Sequence, residues 1–150
     1  MTTAQELAAL YRRDLGRLRR EMEAFAADSP RLWKTLPGIE NSAGNLALHL
    51  EGNLREYIGR QLGGIAYVRM RPLEFSTKDL PAAEMAARAA ALEAMIPGVI
   101  EAVTSEGLEA VYPENVLGEP LSTRHFLTHV QGHLNYHLGQ INYLRRITAG

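Results

Sequence analysis

Apolar residues recur three and four positions apart in four separate stretches of the chain. That period belongs to one face of a helix, and no stretch shows the strict alternation of a strand. Residues 4–27 carry Leu7, Leu10, Tyr11, Leu15, Leu18, Met22 and Phe25 on one face, and Asp28, Ser29 and Pro30 end the helix. A second helix is predicted over about 43–62, capped by Asn41 or Ser42, with Leu46, Leu50, Leu54, Tyr57 and Ile58 as its apolar face. Gly63-Gly64 stops it. Residues 65–81 read as irregular. An alanine-rich third helix runs over about 82–105, with a kink or break expected at Pro97. Residues 107–121 form another connection, and Ser122 or Thr123 caps a last helix reaching about Ile147. No internal repeat is present. The expectation is an all-α, four-helix bundle forming a single domain over residues 1–150. A link of about 17 residues between helices 2 and 3 can travel the length of a bundle, which gives an up-down-down-up order.

Composition narrows the class. Apolar residues make up 46% of the chain, enough for one core. Lys and Arg number 16 against 17 Asp and Glu, a net charge of −1, where a generic nucleic-acid binder would be clearly basic. The arginines at 12, 13, 17, 19 and 20 have Glu21 and Glu23 beside them and read as a solvated face. Cysteine is absent, which excludes disulfides, cysteine-ligated metal sites and a cysteine nucleophile. Charges interrupt the first 20 residues, unlike a signal peptide, and no apolar run approaches the roughly 20 residues of a membrane span. A cytoplasmic protein with no membrane or nucleic-acid partner is expected.

The histidines carry the chemistry. Four of the five, His125, His129, His133 and His137, lie four apart on the last helix, and His49 lies on the second. Side chains four apart stack on one helix face, so one helix readily offers two imidazoles to a metal ion. A zinc-type site needs three or four donors converging at about 2.0–2.3 Å, and His49 is the only histidine elsewhere. Spacing alone does not choose among the pairs 125/129, 129/133 and 133/137. Helical position does. With about 100° per residue, His137 falls within the stripe of Leu127, Val130, Leu134, Leu138, Ile141 and Leu144, and His133 lies at its flank. His129 is further round and His125 nearly opposite, so those two read as exposed or supporting residues. A stripe of histidines can also be a pH-sensing or solvated face.

The segment His133-Leu-Asn-Tyr-His137-Leu-Gly-Gln140-Ile resembles the last-helix signature of the DinB-like superfamily. Asn41-Ser-Ala-Gly-Asn-Leu-Ala-Leu-His49-Leu-Glu-Gly-Asn53-Leu-Arg55 resembles its second-helix signature, and Arg69-Met-Arg71-Pro-Leu-Glu74-Phe75 the linker of one branch. Met70 and Leu138 depart from that branch, where an acidic residue and an arginine are common. The resemblance implies an up-down-down-up bundle, commonly a homodimer, with one divalent metal, usually zinc or nickel, on His49, His133 and His137. Characterised members include S-transferases that use low-molecular-weight thiols and a maleylpyruvate isomerase.

Three neutral imidazoles leave a metal its full positive charge and open positions. Such an ion activates a small thiol or water. Hydrolysis wants a general base, and no carboxylate stands at motif spacing: Glu51, two residues from His49, points away. A metal-activated thiolate needs none, which favours transfer of a small thiol to a small electrophilic substrate. Glu40, Glu74 or Glu114 remain able to reach the site from loops. Asn45 and Asn53, one turn either side of His49, are candidates to orient it, Asn45 reading more readily as a helix-surface amide. Asn135 and Tyr136 either face the site mouth or pack. Arg69 and Arg71 either bind an anionic cofactor or pair with Glu74. Trp33 reads as a core or interface anchor. The competing reading is a non-catalytic bundle that binds metal or serves as a dimeric interaction module.

Overall fold

The computed structural model describes residues 1–149 and is all-α. Helix α1 spans Thr3–Ala24, opened by a capping box in which Thr2 and Gln5 satisfy each other's backbone N–H. A 3-10 turn, Ser29–Trp33, follows. Helix α2 spans Ala43–Leu54 with Ser42 as its N-cap. It continues into a π-helical turn, Arg55–Arg60, and a last turn, Gln61–Gly63. Gly64, at φ 63°, closes it in the left-handed conformation that costs glycine least.

The stretch expected to be irregular contains a short helix, α3, Arg71–Ser76, with Pro72 in its first turn, where a missing N–H is harmless. Helix α4, Ala82–Glu101, does not break at Pro97. Pro97 has no N–H to give the carbonyl of Glu93, and the helix ends four residues on, short of the expected 105. A short α5, Ser105–Glu109, lies in the next connection. Helix α6, Thr123–Ala149, carries the histidine ladder.

The long helices enclose one hydrophobic cluster. Helix α1 packs against α4 and α6, and α2 packs against the same two. At the centre are Tyr11, Leu15, Met22, Leu50, Ile96 and Leu127, all at or below 1% exposure. Each such large apolar side chain contributes about 1.5–3 kcal/mol on burial. Helix α2 differs from the amphipathic expectation: every residue of Ala43–Leu54 is buried. The bundle covers one side, and the linker with α3 covers the other. Trp33 seals the start of α2, packed over Gly44 with its indole N–H donating to the Leu80 carbonyl at 2.9 Å. Among the described residues no helix is long and apolar enough to cross a membrane.

The arginines of α1 are largely answered by carboxylates: Arg12 by Glu101, Arg13 and Arg17 by Asp14, Arg19 by Glu23 and Glu93. Asp14, 0% exposed, also accepts from the Gln131 and Asn135 side-chain amides of α6 at 2.6 and 2.8 Å.

Candidate metal centre

His49 sits midway along α2, and His133 and His137 lie one turn apart on the facing side of α6. The structure brings these three together. One ring nitrogen from each lies within 4.8 Å of the others, a group that can hold a metal ion. Ring centroids are 5.1 Å apart for His49–His133, 5.3 Å for His49–His137 and 4.6 Å for His133–His137. His125 and His129 are exposed and stand outside the group.

Groups behind the rings set which nitrogens face inward. The His49 Nδ1–H donates to the Glu74 carboxylate at 3.0 Å, which leaves Nε2 with its lone pair. That Nε2 faces the His133 Nε2 at 3.2 Å. His137 donates through Nδ1–H to Gln140 Oε1 at 2.7 Å, which again frees Nε2. His133 Nδ1 is buried without a hydrogen-bond partner. Burial, reinforced by His137 and His49, pushes the His133 pKa down to about 4. Burial also lowers that of His137, against the opposing bond to Gln140. These two rings are neutral at pH 7, as ligands must be.

Glu74 is the carboxylate that spacing could not supply. It reaches His49 from α3, 25 residues away in sequence. Arg69 donates to both its oxygens, at 2.9 and 3.1 Å. Burial disfavours its charge, but the bonds from His49 and Arg69 outweigh that and hold its pKa below the usual carboxylate range. A carboxylate so engaged orients a ring and is not free to take a proton from a substrate. Two features of α2 make room for it. A side chain at Gly52 would overlap Glu74 Oε2 and stand 2.6 Å from its Cδ, so only glycine permits the approach. Asn45, fully buried, corrects the helix-surface reading: it donates to the Glu74 and Thr77 carbonyls at 3.0 and 2.9 Å, binding the linker to α2. None of the side-chain hydrogen bonds of Asn45 goes to His49. The sequence signal for this arrangement is a row: positions 45, 49 and 52 share one face of α2, and all three address the linker.

The other candidates separate. Glu51 turns away to Arg55 and Arg88, as expected. Glu114 bonds Gln61. Glu40 lines an apolar groove of about 500 Å³ with Ile39, Tyr136, His137 and Tyr143. Tyr136 is 67% exposed and packs edge-on against His137, while Asn135 faces the opposite side toward Asp14. A second cavity, of about 190 Å³, opens beside His49 and His133 and is walled by Asn53, Tyr57, Arg69 and Arg71.

No protein-family model matches the chain, and no curated protein does. Among solved structures, it is similar to a DinB-like protein from Bacillus cereus, with a TM-score of 0.69 and 16% identity over 91% of this chain and 86% of that one. At that identity the likeness establishes architecture, and the chain adopts the DinB-like fold.

Proposed function

We propose that this protein is a metal-dependent enzyme in which His49, His133 and His137 hold one divalent ion, zinc or nickel. The observation that carries this reading is the pair of facing Nε2 atoms, with a third donor within 4.8 Å, around which Glu74 and Gln140 occupy the outer nitrogens of two rings. Lone pairs aimed at one another repel unless a proton or a cation lies among them, and borderline cations suit an all-imidazole donor set. A bound ion would supply Lewis acidity that lowers the pKa of a small thiol or of water. The residues around it bind, orient and exclude. Glu74 and Arg69 fix the His49 ring, and Phe75 covers its face at 5.0 Å. With Glu74 committed and no carboxylate among the described residues that line the cavity beside His49 and His133, the site favours a thiol, which attacks an electrophile without a general base.

Elemental analysis of the purified protein tests the first half: close to one divalent ion per chain is expected, and its loss in the variant with His49, His133 and His137 all replaced by Ala. A screen of small thiols against small electrophiles tests the second. Metal without turnover of any common thiol would leave a metal-binding bundle and remove the transferase.

A further inference from the structure

The cavity beside the histidines has one sign of charge on its wall. Arg69 and Arg71 line it, and no Asp or Glu does. The Arg69 charge is spent on Glu74. Arg71 has no carboxylate partner among the described residues. Its guanidinium lies over the Phe75 ring, 5.3 Å from the centroid, and Phe75 in turn packs on His49. An aromatic face supports the flat side of a guanidinium and leaves the N–H edge free to donate. The second, independent observation is Asn53. It is 8% exposed, lines the same cavity one turn beyond His49, and its buried Oδ1 has no hydrogen-bond partner. A buried amide oxygen left without a donor costs stability, so it marks a place where an N–H or O–H of a ligand completes it, while the amide N–H of the same side chain is what can meet an anion.

We infer that this cavity is a subsite for a carboxylate of the ligand, paired with Arg71, so that the ligand presents one end to the histidines and an anionic group to the linker. One unpaired guanidinium matches a singly charged carboxylate, which it can hold through two parallel N–H bonds. This rests on the reading of the three histidines as the reactive centre, but the carboxylate pocket is separable from it by experiment.

Zinc-loaded protein is titrated with 3-mercaptopropionate and with 2-mercaptoethanol, followed by amide chemical shifts. The carboxylate-bearing thiol should bind at least about tenfold more tightly, roughly 1.4 kcal/mol. Arg71→Gln should bring that ratio close to one and leave 2-mercaptoethanol unchanged, while Arg71→Lys should restore part of it. Asn53→Asp, which adds a negative charge of the same shape, should weaken only the anionic probe. A ratio near one in the parent, or one that Arg71→Gln does not alter, overturns the assignment. If neither thiol binds, the thiol reading fails, and metal-free protein is titrated with propionate against 1-propanol. Propionate binding that Arg71→Gln abolishes then upholds the subsite, and its absence in the parent ends it.

Discussion

At the level of single residues, Gly52 and Glu74 are one device. In an ordinary helix interior, Gly→Ala stabilises by about 1 kcal/mol. Gly52→Ala should do the reverse, because the new methyl group displaces the Glu74 carboxylate from His49. Thermal denaturation should show a lower Tm. Competition with a chelator should show a metal affinity reduced about 10–100-fold, the usual cost of losing the partner behind a ligand. Glu74→Gln should lower the affinity in the same direction without the steric clash. An unchanged affinity in both variants would separate Glu74 from the metal. The pairing of His133 with His137 was legible from spacing and phase, which the period of one helix fixes, and His49 stood out as the only histidine elsewhere. Glu74 was legible only as one of three loop carboxylates able to reach the site, since a contact spanning 25 residues depends on how the linker folds, and an isolated Glu on a connection carries no period.

The element that most exceeded its sequence signal is α2. Its apolar spacing announces one buried face, yet the whole of Ala43–Leu54 is buried, because α3 and the linker lie over the side that carries Asn45, His49 and Gly52. Glycine and asparagine there look like weak helix formers at a surface. In place, they are a close approach and a tether. Asn45→Ala would leave the Glu74 and Thr77 carbonyls without that donor, at a cost of about 1–3 kcal/mol. Amide hydrogen exchange should accelerate across residues 65–81 while the amides of α1 and α4 keep their protection. Uniform acceleration through the bundle would show the tether to be global. The π-helical turn after Leu54 was invisible in sequence because Leu50, Leu54 and Ile58, four apart across it, read as a plain α-helix, and the five residues of the 3-10 turn before α2 are too few to show a period. At Pro97 the expected break is absent, because only four residues of the helix follow it.

For the whole molecule, Asp14 is one of the carboxylates, with Glu74, that set stability in acid. Burial raises its pKa, but the bonds from Arg13, Asn135 and Gln131 win, and the folded value lies below the ordinary 3.8. A depressed folded pKa contributes stability that is complete above the unfolded value and is lost as the pH falls through the folded one. Urea unfolding followed from about pH 7 down to pH 3 should therefore show stability falling at the acid end. Asp14→Ala should flatten that limb and cost about 1–3 kcal/mol near neutrality, since Gln131 and Asn135 lose their acceptor. A parallel acid limb in the variant would place the effect elsewhere. The fold class was legible because four amphipathic stretches leave few alternatives. This α1–α6 bolt was not, because Asp14 sits among arginines that read as a solvated face. Its consequence reaches the opposite side of the bundle. Gln131 and Asn135 alternate along α6 with His133 and His137, and two residues of helix turn a side chain through about 200°. Gripping α6 from behind thus sets its azimuth, and a roll of that long rod about its own axis would swing both imidazoles away from His49 together.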